Sequence, residues 1–431
     1  MFTGLSSIIE AERFLLNYSP EKQSGETYTL GRMKQLMERL GNPQNDIRAI
    51  HVAGTSGKTS TAHYVRLLLE AHGLRVGLTT SPHISSIAER VQVDGAPLAA
   101  ERFVPYLNEF LAIIEAWGDI RPTYFELLTA FAFWVFKQER VDYMVIEVGL
   151  GGLLDATNVI ASKSKISVIT PIGLDHTEIL GSSLTEIANQ KAGIIHDDSD
   201  VFTCVQAIDA ENVIRTVSLR RQARLNVVSV QRDDVSTAPL FQQDNFGLAH
   251  EVVRFAMARD HVKTIEPAKL NLLIHNTPPG RFEVYIIGDK TIVLDGAHNP
   301  QKLAAFTESL YRRYDGPFAW LIGFIEAPDG KIADCVELIA NGRDKFIATQ
   351  FTVGQDIKGR RSVAAPTLAS RFTERGATVL AVENADEALE ALLQSKQRTV
   401  VVTGSLYLVA ILRQRILELA KKSLADLDSV E

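Results

Sequence analysis

Cysteine is nearly absent. The chain of 431 residues holds two, Cys204 and Cys335, far apart and without metal-ligand spacing. That excludes a disulfide scaffold and a zinc ribbon, and makes a reducing, cytoplasmic compartment the expectation. Apolar runs approaching about 20 residues are missing, so no segment is expected to span a membrane. The first residues, MFTGLSSIIEAERFL, lack a basic stretch followed by an apolar one and do not read as a signal peptide. Positive charge is not in excess: 45 Lys and Arg face 52 Asp and Glu, a formal charge of −7. That argues against a general nucleic-acid binder and leaves room for a local basic site facing a small anion. Internal repeats and low-complexity segments are also lacking. A hydrophobic content of 46% with 23% charged residues is that of a globular chain, long enough for two domains.

Short apolar strands alternate with helical stretches almost throughout, which is the α/β signature. Residues 47–53 (IRAIHVA) read as a strand, 54–58 as a glycine-containing loop, and 59–72 as a helix. Residues 75–80 form the next strand, and 91–98 a small hairpin turning at Asp94-Gly95. Helices are expected around 100–116 and 123–139, the second apolar nearly all round and therefore buried. YMVIEVG (143–149) and ISVITPIG (166–173) read as covered parallel strands. His275-Asn276-Thr277-Pro278-Pro279-Gly280 breaks both periodicities and marks the linker. The expected domains are 1–277 and 278–431, the second built on the strands TIVLDGA, FAWLIGF, KFIATQF, TVLAV and TVVVTGS. A long helix closes the chain, and its last residues, DLDSVE, are expected to fray.

The strongest local signal is Gly54-Thr55-Ser56-Gly57-Lys58-Thr59, after a strand and before a helix. Glycines let backbone N–H groups approach phosphate, and the helix N-terminus adds free donors and a positive dipole end. Lys58 supplies charge at the β- and γ-phosphates, and Thr59 or Ser60 can reach a bound magnesium ion. Strict Walker spacing would want glycine where Val52 stands. Glu147 ends a parallel strand, where carboxylates face the ligand crevice, and suits a magnesium or a water. Asp175 and His176 follow the next strand. On chemistry alone His176 is as readily a hydrogen-bonded structural residue, and Lys191 a surface lysine. Asp295 and His298, in LDGAHNP, and Arg281 are plausible nucleotide or substrate contacts in the second domain.

The ensemble resembles the Mur ligase superfamily, and within it the folylpolyglutamate synthase/dihydrofolate synthase family. The segments that carry the likeness are YTLGRMKQLMERLGNP (28–43), HVAGTSGKTS (51–60), TTSPHISSIAERVQVDG (79–95), YFELLTAFAF (124–133), EVGLGGLLDATNV (147–159), IGLDHTEILGSSLTEIANQKAGII (172–195), PGRFEV (279–284), LDGAHNP (294–300) and VVTGSLYLV (401–409). The resemblance implies an N-terminal phosphate-loop domain with a mostly parallel sheet and a Rossmann-like C-terminal domain, with the active site in the cleft between them. It implies that ATP, with Mg2+, phosphorylates an acceptor carboxylate and that L-glutamate displaces phosphate to give an amide.

Site residues follow from the same likeness. Gly54, Thr55, Gly57, Lys58, Thr59 and Ser60 match the ATP loop. Ser81, Glu147 and His176 match the magnesium ligands. Lys191 matches a lysine that the superfamily often carbamylates, which would make it a further metal ligand. Asn245, Arg281 and Asp295 match nucleotide contacts, and His298 is expected to orient the nucleotide or the glutamate. Thr123, Tyr124, Phe125 and Glu126 match a pterin-binding stretch, and Asp155 is retained on the substrate side. The expected partners are small molecules alone, folate or dihydropteroate with L-glutamate, and the expected state is a monomer.

Three departures stand out. GTSGKTS replaces the usual GTNGKGS, Leu153 replaces the family's arginine at the pteridine site, and Ala327-Pro328-Asp329 replaces its Lys-Asp pair. These leave ATP chemistry intact and bear on the acceptor, since leucine offers a pterin edge no donor. Two rival readings remain: an amide ligase of the superfamily acting on a non-folate carboxylate, and an ATP-binding module without turnover. A GTPase is disfavoured, because no Asn/Thr-Lys-x-Asp motif is evident.

Overall fold

The computed structural model describes residues 4–19, 29–233, 236–327, 329–353 and 361–428. Tyr28 of the YTLGRM segment, Pro328 of the Ala327-Pro328-Asp329 departure and residues 429–431 of the C-terminal DLDSVE stretch lie outside them. The described chain divides into two compact units. One holds the residues up to 233 together with Gln242–Asn276; the other holds 236–241 and the residues from Thr277 onward.

The first unit is built on β1 (Arg48–Ala53), β2 (Val76–Thr79), β3 (Gln92–Val93), β4 (Ala96–Pro97), β5 (Tyr143–Glu147), β6 (Ile166–Ile169), β7 (Asp200–Cys204) and β8 (Arg224–Val228). They form one eight-stranded sheet in the order β4-β3-β2-β5-β1-β6-β7-β8. Every pairing from β2 to β8 is parallel, and β3 and β4 add an antiparallel margin. The β3–β4 turn uses Asp94 at φ 52° and Gly95 at φ 83°. Two left-handed residues are what a tight hairpin matching the sheet's twist requires.

Side chains of the central strands alternate between two cores, as the two-residue period dictates. Ala49, Met144 and Ile146 enter one core with the buried helix Tyr124–Gln138. Ile50, Val52, Tyr143 and Val145 enter the other with the helix Lys58–Ala71. Helices therefore cover both faces. Phe131, Phe133 and Phe136 have no exposed surface, and truncating any one of them should cost about 3–5 kcal/mol.

The second unit repeats the logic with β9 (Arg281–Ile287), β10 (Lys290–Asp295), β11 (Ala319–Ile322), β12 (Lys345–Thr349), β13 (Thr378–Val382) and β14 (Thr399–Thr403). Its sheet runs β13-β12-β11-β14-β10-β9, parallel except for the β9–β10 hairpin. Val293, Trp320 and Ile322 face one core, and Ile292, Leu294 and Leu321 the other.

The helix after the phosphate loop starts at Lys58, one residue earlier than its periodicity suggests, because left-handed Gly57 (φ 83°) ends the loop. The closing helix runs Leu406–Asp428 and keeps Asp426, Leu427 and Asp428 helical, against the expected fraying. Residues 415–428 contain no glycine or proline to break it.

Candidate active site

The phosphate loop leaves buried β1 and is pinned to the segment after β6. Thr55 N and Ser56 N donate to Pro171 O at 2.9 and 3.1 Å. Thr55 Oγ1 donates to Gly173 O at 3.0 Å, and Thr170 Oγ1 donates to Ser56 O at 2.7 Å. Two glycines are obligatory here. A Cβ at Gly54 would lie 1.8 Å from Thr170 Oγ1, and one at Gly57 would lie 2.3 Å from Asn245 Oδ1. The second contact sets Asn245, buried on the helix Leu240–Arg259, directly against the loop. No side chain caps the helix that begins at Lys58, so its first N–H groups are available to an anion.

Two lysines converge on this loop. Lys58 Nζ lies 3.2 Å and Lys191 Nζ 2.9 Å from the same carbonyl, Gly54 O. Lys191 is 4% exposed and is no surface lysine. Two ammonium groups on one neutral carbonyl form a cradle for negative charge. The residues thus fit the phosphates of a nucleotide.

Glu147 sits across the loop. Its Oε1 accepts from Thr59 Oγ1 at 2.9 Å and its Oε2 from Ser81 N at 3.2 Å. A carboxylate touching a hydroxyl in the first turn of the phosphate-loop helix is a hard-oxygen pair suited to Mg2+, which takes few protein ligands and completes its shell with phosphate and water. Ser60 is buried on the same helix. Ser81 meets Glu147 through its backbone. His176 starts the short helix Thr177–Leu180 at φ 52°, with Nδ1 3.8 Å from Glu178 Oε1. Among the described residues no group of three or more His, Cys, Asp or Glu side chains forms a metal cage. Of the expected metal set, Glu147 and Ser81 are therefore brought together here, and His176 lies beside Glu178. Lys191, as an amine, donates to the loop.

The stretch 123–126 is largely structural. Thr123 and Glu126 cap the helix Tyr124–Gln138 reciprocally, with Thr123 N donating to Glu126 Oε2 at 2.7 Å and Glu126 N to Thr123 Oγ1 at 3.3 Å. Glu126 also pairs with Arg32 at 3.1 Å, and Tyr124 is 3% exposed in the core. Phe125 keeps a half-buried ring, against which a Cβ at Gly149 would come within 2.5 Å. Asp155 is buried and accepts from Leu150 N at 2.8 Å, Thr157 N at 3.0 Å and Thr157 Oγ1 at 2.5 Å. Burial pushes its carboxyl above the usual range, against those hydrogen bonds and the charge of Lys58. It holds its own loop rather than facing open space. Leu153 and Leu154, at the tip of that loop, are each 42% exposed.

The second unit gathers another cluster. Asp295 ends β10 and accepts from Phe282 N at 2.9 Å and Ala297 N at 2.8 Å. Burial raises its carboxyl to about 6, with Arg281 and Lys302 pulling the other way. His298 Nδ1 lies 2.8 Å from Gly296 O, and its Nε2 3.0 Å from Lys302 Nζ. The carbonyl and the ammonium require Nδ1 to donate and Nε2 to accept, so the ring is neutral. Arg281 Nη1 donates to Gly280 O at 3.1 Å.

Lys302, Thr170, Gln206 and His51 were not evident from sequence patterns. Lys302 had a faint signal, since it falls four residues after His298 at a helix start. Gln206 grips Ile172 N at 2.9 Å and Thr170 O at 3.1 Å from the end of β7, a contact that exists only once the sheet is assembled.

A family model, the Mur ligase middle domain, matches residues 52–285. Fold and site thus define an ATP-dependent ligase of the Mur type, an enzyme. A second family model, the C-terminal domain of dihydrofolate synthetase, matches residues 285–415. The dihydrofolate synthase/folylpolyglutamate synthase of Bacillus subtilis is 31% identical over 421 residues, covering 90% of this chain and 94% of that protein. The structure of FolC from E. coli in complex with DHPP and ADP superposes with TM-score 0.82 at 26% identity, covering 96% of this chain and 99% of that one. A bifunctional folylpolyglutamate synthase/dihydrofolate synthase from Yersinia pestis, complexed with AMPPNP and a Mn ion, gives 0.81 at 26% identity over 96% and 100%. The chain belongs to the folylpolyglutamate synthase/dihydrofolate synthase family. Among the described residues no helix is long and apolar enough to cross a membrane.

Proposed function

We propose that this ligase joins the amino group of L-glutamate to the carboxylate of a folate, and of dihydropteroate, through an acyl phosphate. The observation that carries the reading is the double-lysine cradle on Gly54 O facing the Glu147–Thr59 pair. In the first step an acceptor carboxylate oxygen attacks the γ-phosphorus and ADP leaves. In the second the glutamate nitrogen attacks the acyl carbon and phosphate leaves.

The chain's residues supply position and charge. Backbone N–H groups of residues 57–60 and the Lys58 and Lys191 ammonium groups hold phosphate oxygens as charge builds on them. Glu147 with Thr59 or Ser60 would hold a magnesium ion, which would supply charge neutralisation for the transferred phosphoryl group. If Lys191 is carbamylated, its oxygens add a ligand there. Asn245, Arg281 and Asp295 are assigned to the nucleotide, with Asp295 accepting donors from it. Neutral His298, braced by Lys302, orients the nucleotide or the incoming glutamate. The acceptor lies by Phe125 and the loop 149–155. Leu153 gives its pterin edge no donor, so recognition there rests on apolar contact. The enzyme acts as a cytoplasmic monomer on small molecules.

Glutamate-dependent ADP release with Mg-ATP tests this. Turnover is expected with a reduced folate and with dihydropteroate. Silence with both, in protein that binds ATP, would transfer the assignment to a ligase of another carboxylate, the reading that exposed Leu153 favours.

A further inference from the structure

His51 lies in β1, three residues before the phosphate loop, with no exposed surface. Its Nε2 is 2.8 Å from Thr157 Oγ1, and that hydroxyl donates to Asp155 Oδ1 at 2.5 Å. A hydroxyl has one proton to give, so the Thr157 oxygen must accept from His51, and the ring carries its proton on Nε2. Nδ1 is buried without a hydrogen-bond partner. Moving the proton there would bury an unanswered donor and leave Thr157 without one. The hydrogen bonds therefore run one way, from His51 to Thr157 to Asp155.

The far end of this chain is a loop. Asp155 Oδ2 holds Leu150 N at 2.8 Å, just past Glu147. Leu153 N donates to Gln190 O at 2.7 Å. Asn158 Nδ2 spans Leu153 O at 3.1 Å and Gly193 O at 3.0 Å. The loop is thus tied to its own carboxylate and to the helix that carries Lys191, and its tip presents Leu153 and Leu154. An apolar residue would fill the place of His51 in the sheet without burying a polar nitrogen. The imidazole's contribution is the donor that sets the Thr157 proton.

We propose that His51 is a positioning residue: through Thr157 it locks Asp155 onto Leu150 N and so sets the loop that receives the acceptor, without touching the acceptor itself. The kinetic half of this rests on the acceptor reading given above. Two measurements on the full chain separate the halves: amide hydrogen exchange of peptides covering 149–158 and 58–71, and the KM values for acceptor and ATP. His51→Leu should speed exchange in 149–158 about tenfold while leaving 58–71 within about twofold. It should raise the acceptor KM about tenfold, with ATP KM and kcat within about twofold. His51→Gln, which keeps a donor near the Nε2 position, should restore both. Thr157→Val should match His51→Leu, and the double variant should be no worse than either. Should His51→Leu not fold, Thr157→Val carries the same expectations.

Unchanged exchange in 149–158 would overturn the proposal. So would equal loosening of 58–71 with an equal rise in ATP KM, which is the mark of a merely structural role. If the wild-type enzyme turns over neither folate nor dihydropteroate, the acceptor reading falls, and exchange alone decides the relay.

Discussion

Replacing Asp295 by asparagine should change how stability responds to pH. The Asp295 carboxyl is fully buried and titrates at about 6 in the folded chain, against 3.8 for a free aspartate. Burial raises it, and Arg281 offsets only part of that rise. A folded value above the unfolded one means that the group's contribution to stability is fully present below the unfolded value. It is lost as pH rises through the folded one. The gap of about two pH units corresponds to about 3 kcal/mol in total, of which about 1.4 kcal/mol falls between pH 5 and pH 8. Asparagine does not titrate, so the stability of wild type minus that of Asp295→Asn should fall by that amount over the window. Other titrating groups cancel in the difference. The assay is urea unfolding followed by the fluorescence of Trp320, which is wholly buried in the second unit, in a Trp117→Phe/Trp134→Phe background. Curves that stay parallel across the window would refute the reasoning.

Lys58→Met should fold normally and lower kcat by about two to three powers of ten, the scale of one lost charge-stabilising contact in the transition state; near-normal turnover would remove Lys58 from its role. Gly54→Ala would place a Cβ 1.8 Å from Thr170 Oγ1 and push that hydroxyl off Ser56 O, so nucleotide affinity by calorimetry should drop by more than about tenfold. Lys191→Ala should lose most activity, and partial rescue by short carboxylic acids would show that the lysine works as a carbamate. Leu153→Arg should lower the folate KM several-fold by supplying a donor at the loop tip; an unchanged KM would place the pterin edge elsewhere.

Much of the fold was legible because its signals are local. Short, largely apolar runs flanked by turn residues read as covered strands, and the structure places β1, β5 and β6 side by side in one parallel sheet. Gly54, Gly57 and Lys58 announced their chemistry because phosphate binding needs a glycine turn and a helix start within a few residues. What stayed hidden was spatial. Thr123 and Glu126 look like ligands in a motif, but their spacing of three is also that of a capping box, and the helix uses them for it. Lys191 looks like a surface lysine until the folded chain brings it within 2.9 Å of Gly54 O, 137 residues away. His51 reads as one polar interruption of a strand. Its role depends on Thr157, which sequence alone sets 106 positions off.

The sequence by itself determined the alternation of strands and helices, the phosphate loop and the position of Glu147 at a strand end, because periodicity, glycine conformation and strand polarity are properties of neighbouring residues. The tertiary structure alone decided which charges face which. Hydrogen bonds of about 3 Å between strands and helices far apart in the chain exist only when the sheet order β2-β5-β1-β6 is in place. That order fixes two lysines on one carbonyl, a carboxylate on a threonine, and a buried histidine behind the loop 149–155.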